Sequence, residues 1–277
     1  MSETERLLAI MRRLRDPQEG CPWDLAQTFE TIVPFTLEEA YEVADAIERG
    51  DLDALAEELG DLLFQVVFYA QLAQEAGRFD FHRVAAGIAD KLVRRHPHVF
   101  AGASVDDAAA QTRAWEAHKA RERGNRAAAE GRPPGTLDDI PAALPALPRA
   151  MKLQRRAART GFDWEDRSQI FSKFEEELGE LRAALQSGAP PEAVDEEIGD
   201  LLFTLVNLAR HLDCDPEGAL RRTNRKFEAR FGYIEGRLAE EGRRPEDATL
   251  NEMDTLWHEA KLAMNKQKAD GNGGRSG

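Results

Sequence analysis

Cysteine and aromatic residues are scarce in this 277-residue chain, which has 2 Cys, 3 Tyr and 4 Trp and is 7% aromatic. Cys21 and Cys214 are 193 residues apart, with no neighbouring Cys and no paired His. That spacing argues against a disulfide framework and a cysteine-based zinc site, and it fits a reduced, cytoplasmic setting. Few aromatics and no β-rich stretches bounded by turns argue against an all-β sandwich. No apolar run approaches the roughly 18 residues of a membrane span. The opening MSETERLLAIMRRLRD mixes charges with apolar residues and does not read as a signal peptide. Basic residues are outnumbered, 37 against 51 acidic for a net charge of −14. Such a surface disfavours duplex nucleic acid and anionic membrane as partners, so a polyanionic ligand needs a local cluster of cations. What the chain does have is 42% hydrophobic residues, enough for packed cores and too many for wholesale disorder.

The chain also carries a repeat. LEEAYEVADAIERGDLDALAEELGDLLFQVV from Leu37 is matched by FEEELGELRAALQSGAPPEAVDEEIGDLLFTLV from Phe174. Glu39 pairs with Glu177 at an offset of 138, and Glu58 with Glu197 and Asp61 with Asp200 at 139. Lys91 and Arg95 pair with Lys226 and Arg230 at 135, and Trp115 and Lys119 with Trp257 and Lys261 at 142. Trp23 and Trp164 pair at 141, so all 4 tryptophans occupy repeated positions. A period near 140 means duplicated domains, because solenoid repeats are far shorter. The reading is an N-terminal domain over 1–122, a Gly/Pro/Ala-rich linker over 123–148, a C-terminal domain over 149–266 and a disordered tail over 267–277.

Within each copy helical spacing dominates. Leu37, Ala40, Ala44 and Ile47 share one face, and Gly50-Asp51 makes a turn with Asp51 as N-cap. Leu55, Leu59, Leu62, Leu63, Val66 and Val67 then continue the pattern. Ser187 to Pro191 breaks the chain at the matching place. Further helices are expected over Phe81 to Arg95, over Pro216 to Leu238, and around Trp115 and Trp257. The fold class is therefore all-α, two tandem bundles of about four helices each.

Glu39 and Glu42 are three residues apart, as are Glu58 and Asp61; the second copy repeats this with Glu177 and Glu180, Glu197 and Asp200. Residues i and i+3 share a helix face, and two helices joined by a short loop run antiparallel, so each quartet can converge. A single E-x-x-E is usually a solvated face. Here Gly60 and Gly199 lie between the second pair of acids and LLF follows at once, so the acids abut the apolar stripe, where carboxylates need a partner. Oxygen-only ligands favour a hard cation, Mg²⁺, for which Mn²⁺ can substitute. A di-iron carboxylate bundle needs Glu-x-x-His motifs, and no histidine of this chain has a glutamate three residues before it.

Lys226 and Arg230 fall four apart on one helix face, as do Trp257 and Lys261. Cations beside a divalent metal point to a phosphate-bearing ligand, and Trp257 offers a face for a base, although alone it reads as core. Lys173 lies one turn before Glu177, whereas the first copy has Phe35 at that position. This asymmetry favours the second copy as the catalytic one.

The E-E-x-x-E then E-x-x-D pattern of both copies, with GCPWD, RRHPHVF, GFDW and KFEARF, closely resembles the two-domain MazG nucleoside triphosphate pyrophosphohydrolases over nearly the whole chain. The resemblance implies an all-α fold, a homodimer, Mg²⁺ dependence and hydrolysis of nucleoside triphosphates to monophosphate and pyrophosphate. By position it makes Glu177, Glu180, Glu197 and Asp200 metal ligands, with a possible second site at Glu39, Glu42, Glu58 and Asp61. Lys173, Lys226, Arg230, Trp257 and Lys261 become nucleotide contacts. Glu176 or Glu196, next to the ligands, is the expected proton acceptor. Nothing resembles a base-reading set, so broad base preference in nucleotide-pool housecleaning is expected. A module without turnover, or a narrower pyrophosphatase for dUTP or damaged nucleotides, are the alternatives.

Overall fold

Helix boundaries in the computed structural model fall where the sequence places its capping and breaking residues. The structure describes residues 1–101 and 108–272, and only the backbone at 108–116, 118, 126 and 267–272, so Trp115 lies outside the described side chains. The first unit, Met1–Arg121, contains α1 (Glu3–Leu14), α2 (Pro22–Ala26), α3 (Phe29–Arg49), α4 (Leu52–Glu75), α5 (Phe81–Arg95), α6 (Pro97–Phe100) and the start of α7 (Ala108–Ala129). The second, Glu122–Gly277, contains α8 (Ala146–Ala158), α9 (Arg167–Ser187), α10 (Pro191–His211), α11 (Pro216–Glu240), a 3₁₀ turn (Pro245–Asp247) and α12 (Leu250–Asn272). Among the described residues there is no strand.

The helical hairpins α3–α4 and α9–α10 form the centre of each unit, and their ends are built alike. Thr28 and Asp166 cap α3 and α9, accepting from the backbone N–H of Thr31 and Ser168. Gly50 and Gly188 end those helices in the left-handed region at φ 71° and 66°, where a side chain would be strained. Asp51 caps α4 by accepting from the Ala54 N–H at 3.0 Å, and Pro191 opens α10. The turns leave too few residues for anything but antiparallel packing of each pair.

The cores repeat as well. In the first unit Met11, Ile32, Val67, Phe68 and Leu72 are buried together, with Leu7, Leu8, Leu14, Phe64, Tyr69 and Phe81 packed around them. Met151, Ile170 and Val206 are buried in the second unit, at offsets of 140, 138 and 139 from Met11, Ile32 and Val67. Each such side chain contributes about 1.5–3 kcal/mol by burial. Even the buried polar position recurs, as Gln65 and Thr204.

The structure departs from the sequence reading at the linker. Its first residues continue α7 through Ala129, because the RAAAE run is a strong helix former, and its last residues open α8 at Ala146. Between them Arg132 pairs with Asp138, whose carboxylate also accepts from the Gly135 N–H at 2.8 Å. Arg156 on α8 donates to the carbonyls of Thr136 and Asp138, each at 3.1 Å. The segment is thus an ordered turn within the second unit. At the other end, α12 extends to Asn272, past the boundary at 266, and residues 273–277 lie outside the described ones.

Candidate active site: an acidic cluster opening on a cleft

In the second unit α9 and α10 bring Glu177, Glu197 and Asp200 together, with one carboxylate oxygen from each lying within 4.8 Å of the others. Glu177 is 5% exposed, a charge too buried to stand without compensation. Lys173, one turn earlier on α9, supplies that compensation, its Nζ lying 2.7 Å from Glu177 Oε1 and 2.9 Å from Glu176 Oε1. Those two carboxylates, Glu176 foremost, hold the ammonium above the usual lysine range. Glu180 completes the quartet electrostatically. Desolvation raises its pKa, with Glu177 and Glu197 adding to the rise and Lys173 opposing it.

In the first unit the group that converges is Glu39, Glu42 and Glu58, again within 4.8 Å. Desolvation raises the pKa of Glu39, followed by Asp61 and Glu42, and that of Glu58, followed by Glu42. Asp61 therefore belongs to the same field. The position of Lys173 is taken by Phe35, whose ring meets Trp23 edge-on at 5.8 Å.

A cleft of about 640 Å³ opens beside the acids of the second unit. Lys173, Glu177 and Asp200 line it, followed along the same face of α10 by Phe203, Thr204, Asn207 and Arg210. α8 contributes Leu153, Gln154 and Ala157, the connection to α9 contributes Gly161 to Trp164, and the ordered turn contributes Leu137. Arg210 pairs with Asp163 and donates to Asn207 Oδ1 at 2.7 Å, while His211 Nε2 lies 3.1 Å from Asp163. Chiefly through the Arg210 bonds, Asp163 is held down at about 2.

Lys226, Arg230, Trp257 and Lys261 are on α11 and α12, and none of the four lines this cleft. The Arg230 guanidinium lies over the Trp257 ring at 5.2 Å, and Phe227 packs on the same ring at 5.3 Å. Glu176 is committed to Lys173, whereas Glu196, one residue before Glu197, is exposed. The acids and Lys173 were readable from spacing. Gln154, Phe162, Asp163, Asn207 and Arg210 were not, since they come from a neighbouring helix, a loop and the far end of α10; the only signal was the GFDW string.

All the donors of the cluster are carboxylate oxygens, which suits a hard divalent cation. The MazG nucleotide pyrophosphohydrolase domain matches this chain twice, at residues 27–100 and 166–233, and each match contains one acidic quartet. The chain belongs to the MazG family. It is 50% identical over 262 residues to the nucleoside triphosphate pyrophosphohydrolase of Escherichia coli (strain K12), covering 94% of this chain and 98% of that protein. It is 42% identical over 257 residues to the nucleoside triphosphate pyrophosphohydrolase/pyrophosphatase MazG of Thermotoga maritima, covering 93% and 95% of the two chains. Among solved structures, a mazG-related protein from Thermotoga maritima matches 42% of this chain and 97% of its own, at 31% identity and a TM-score of 0.36. Trp257, Lys261 and Gln154 lie outside both matched segments.

Proposed function

We propose that the second unit of this MazG-family hydrolase cleaves nucleoside triphosphates to monophosphate and pyrophosphate with Mg²⁺ held by Glu177, Glu180, Glu197 and Asp200. The observation that carries this reading is the buried Glu177 meeting Glu197 and Asp200 at the end of a cleft whose volume suits a small ligand. When bound, the metal supplies Lewis-acid polarisation of the phosphates and a lowered pKa for its water. In the reaction a water oxygen bonds to phosphorus, the α–β bridging P–O bond breaks, and pyrophosphate leaves. Lys173 is placed to exchange its contact with Glu177 for a phosphate oxygen once a cation neutralises the acids. Glu176, held by Lys173, and Glu196, exposed, are the two candidate proton acceptors. Lys226 and Arg230 on α11, with Lys261 and Trp257 on α12, form a second basic and aromatic group for the nucleotide.

Broad base preference, a homodimer and a cytoplasmic setting belong to the same proposal. Ile198, Leu202 and Leu205 on α10 and Phe227 on α11 are exposed and available to a second copy. Both cysteines are free. Among the described residues no helix is long and apolar enough to cross a membrane. The first unit keeps its acids but has the Trp23–Phe35 contact where the second has Trp164 and Lys173. We assign it cation binding without turnover. The test is pyrophosphate release from ATP, GTP, CTP, UTP and dUTP with Mg²⁺ and with EDTA. Metal-dependent release from all five is expected. Release from dUTP alone would mark the narrower enzyme, and binding without release a module lacking turnover.

A further inference from the structure

Between α8 and α9 the chain passes through Gly161, Phe162, Asp163 and Trp164, all of which line the cleft. Packing does little to hold this segment in place. Phe162 is 82% and Trp164 40% exposed, and Gly161 stands in the left-handed region at φ 88°. Charge ties it to α10 instead. The largely buried Arg210 forks onto the Asp163 carboxylate, Nη1 donating to Oδ2 at 2.9 Å and Nη2 to Oδ1, and Nη2 also donates to Asn207 Oδ1 at 2.7 Å. His211 Nε2 lies 3.1 Å from the same Oδ1, and the Trp164 N–H donates to it at 2.9 Å. The first unit has no such tie. Pro22 and Gln71 stand at the positions of Asp163 and Arg210, at offsets of 141 and 139. Gln71 turns to Glu75 on its own helix at 2.9 Å, and the segment that begins at Pro22 is wound into α2.

We infer that Arg210 is a positioning residue: through Asp163 it holds the Gly161–Trp164 segment as a preformed wall of the cleft, without itself bonding the substrate. The inference rests on the proposed pyrophosphohydrolase reading and adds to it a residue outside the acidic cluster. Arg210 is 10 residues beyond Asp200 on α10, about 15 Å at ~1.5 Å per residue, so it acts on binding and stays clear of the reacting phosphorus. A wall already in place spares the ligand the cost of ordering it. Without the tie, a smaller fraction of molecules has the wall in position, and the apparent affinity falls by that fraction. Once substrate is bound, the chemical step at the acids is the same. The signature is a raised KM at constant kcat.

The experiment is a double-mutant cycle on the full chain with Mg²⁺, reading KM and kcat for pyrophosphate release from ATP. Arg210→Gln and Asp163→Asn are each expected to raise KM about five- to tenfold with kcat within about twofold. The double variant should rise no further than either single, because both break one tie. Arg210→Lys, which keeps the charge but cannot fork onto both oxygens, falls between wild type and Arg210→Gln. Hydrogen exchange without substrate supplies a second readout. Amides 161–165 should exchange about tenfold faster in Arg210→Gln, with those of Thr204 to Val206 in the core of α10 unchanged. An unchanged KM, a fall in kcat alone, or single effects that multiply in the double variant overturn the inference while leaving the activity intact; the last would mean that Arg210 bonds the substrate itself. Unaltered exchange at 161–165 overturns it as well. No release from any triphosphate by the wild type removes the activity, and the inference with it.

Discussion

Replacing Lys173 by Met removes the one side chain that places an ammonium 2.7 Å from Glu177 and 2.9 Å from Glu176. Breaking a fully buried ion pair by deleting one partner costs about 3–5 kcal/mol, because the other charge is stranded. Here the Glu177 side chain is 6% exposed but that of Lys173 is 34% exposed, so water screens part of the interaction. The expected loss in EDTA is about 1–2 kcal/mol. For a unit of this size that lowers Tm by about 2–8 °C. A divalent cation among Glu177, Glu197 and Asp200 supplies the missing positive charge, so with saturating Mg²⁺ the loss falls below about 0.5 kcal/mol. Scanning calorimetry of wild type and Lys173→Met, each in EDTA and in Mg²⁺, reads both numbers. Equal destabilisation in the two conditions would refute the reasoning, for it would mean that Lys173 and the cation do not compensate the same carboxylates.

Glu197→Ala is expected to reduce pyrophosphate release by at least about 100-fold, since it removes a metal ligand and with it several kcal/mol of transition-state stabilisation. Glu58→Ala leaves release within about twofold, and full activity in Glu197→Ala would falsify the assignment to the second unit. Asp163, held at about 2 against an ordinary 3.8, stabilises the fold above pH 3.8, and that contribution disappears as pH falls through 2. The gap of 1.8 units corresponds to about 2.4 kcal/mol at most, reduced to about 1 by partial exposure. Asp163→Asn should therefore lower urea stability by about 1 kcal/mol at pH 6 and by nearly nothing at pH 2, and a gap that ignores pH counts against the Arg210 pairing. A Cβ at Gly199 meets nothing within 4 Å, so Gly199→Ala should raise stability by about 0.5–1 kcal/mol in urea unfolding; a loss would expose a contact at that helix position.

The parts of this molecule that could be read from its sequence are those governed by local rules. The turn at Gly50 and Asp51, the break from Ser187 to Pro191, and helices starting at Phe81 and Pro216 each follow from one or two residues whose backbone preferences dominate. The acid quartets followed from i, i+3 spacing in two helices joined by a short turn. The hydrogen bonds within the turn from 130 to 145 were not legible, because Gly and Pro mark irregular backbone without showing that Arg132 and Arg156 pin it. The far wall of the cleft was hidden for a different reason. Gln154, Asp163 and Arg210 are brought together by the packing of α8 on α10, and no spacing along the chain encodes that contact.

Comparison of the two units shows where two copies of one scaffold diverge. The three apolar anchors Met11, Ile32 and Val67 reappear as Met151, Ile170 and Val206, and the side-chain caps of α3 and α9 and the left-handed glycines reappear with them, so the two copies share one packing scheme. Their differences fall where a ligand would lie. Phe35 against Trp23 puts an aromatic contact where Lys173 and Trp164 border open space, and Leu14 packs on the core at the position where Gln154 bonds to the Phe203 carbonyl. In the first unit Trp23 and Phe35 form an aromatic contact, whereas in the second Lys173 compensates the buried Glu177, so the two copies satisfy the same position by different means. Lys173 is explained both by the carboxylate it neutralises and by the cleft it borders.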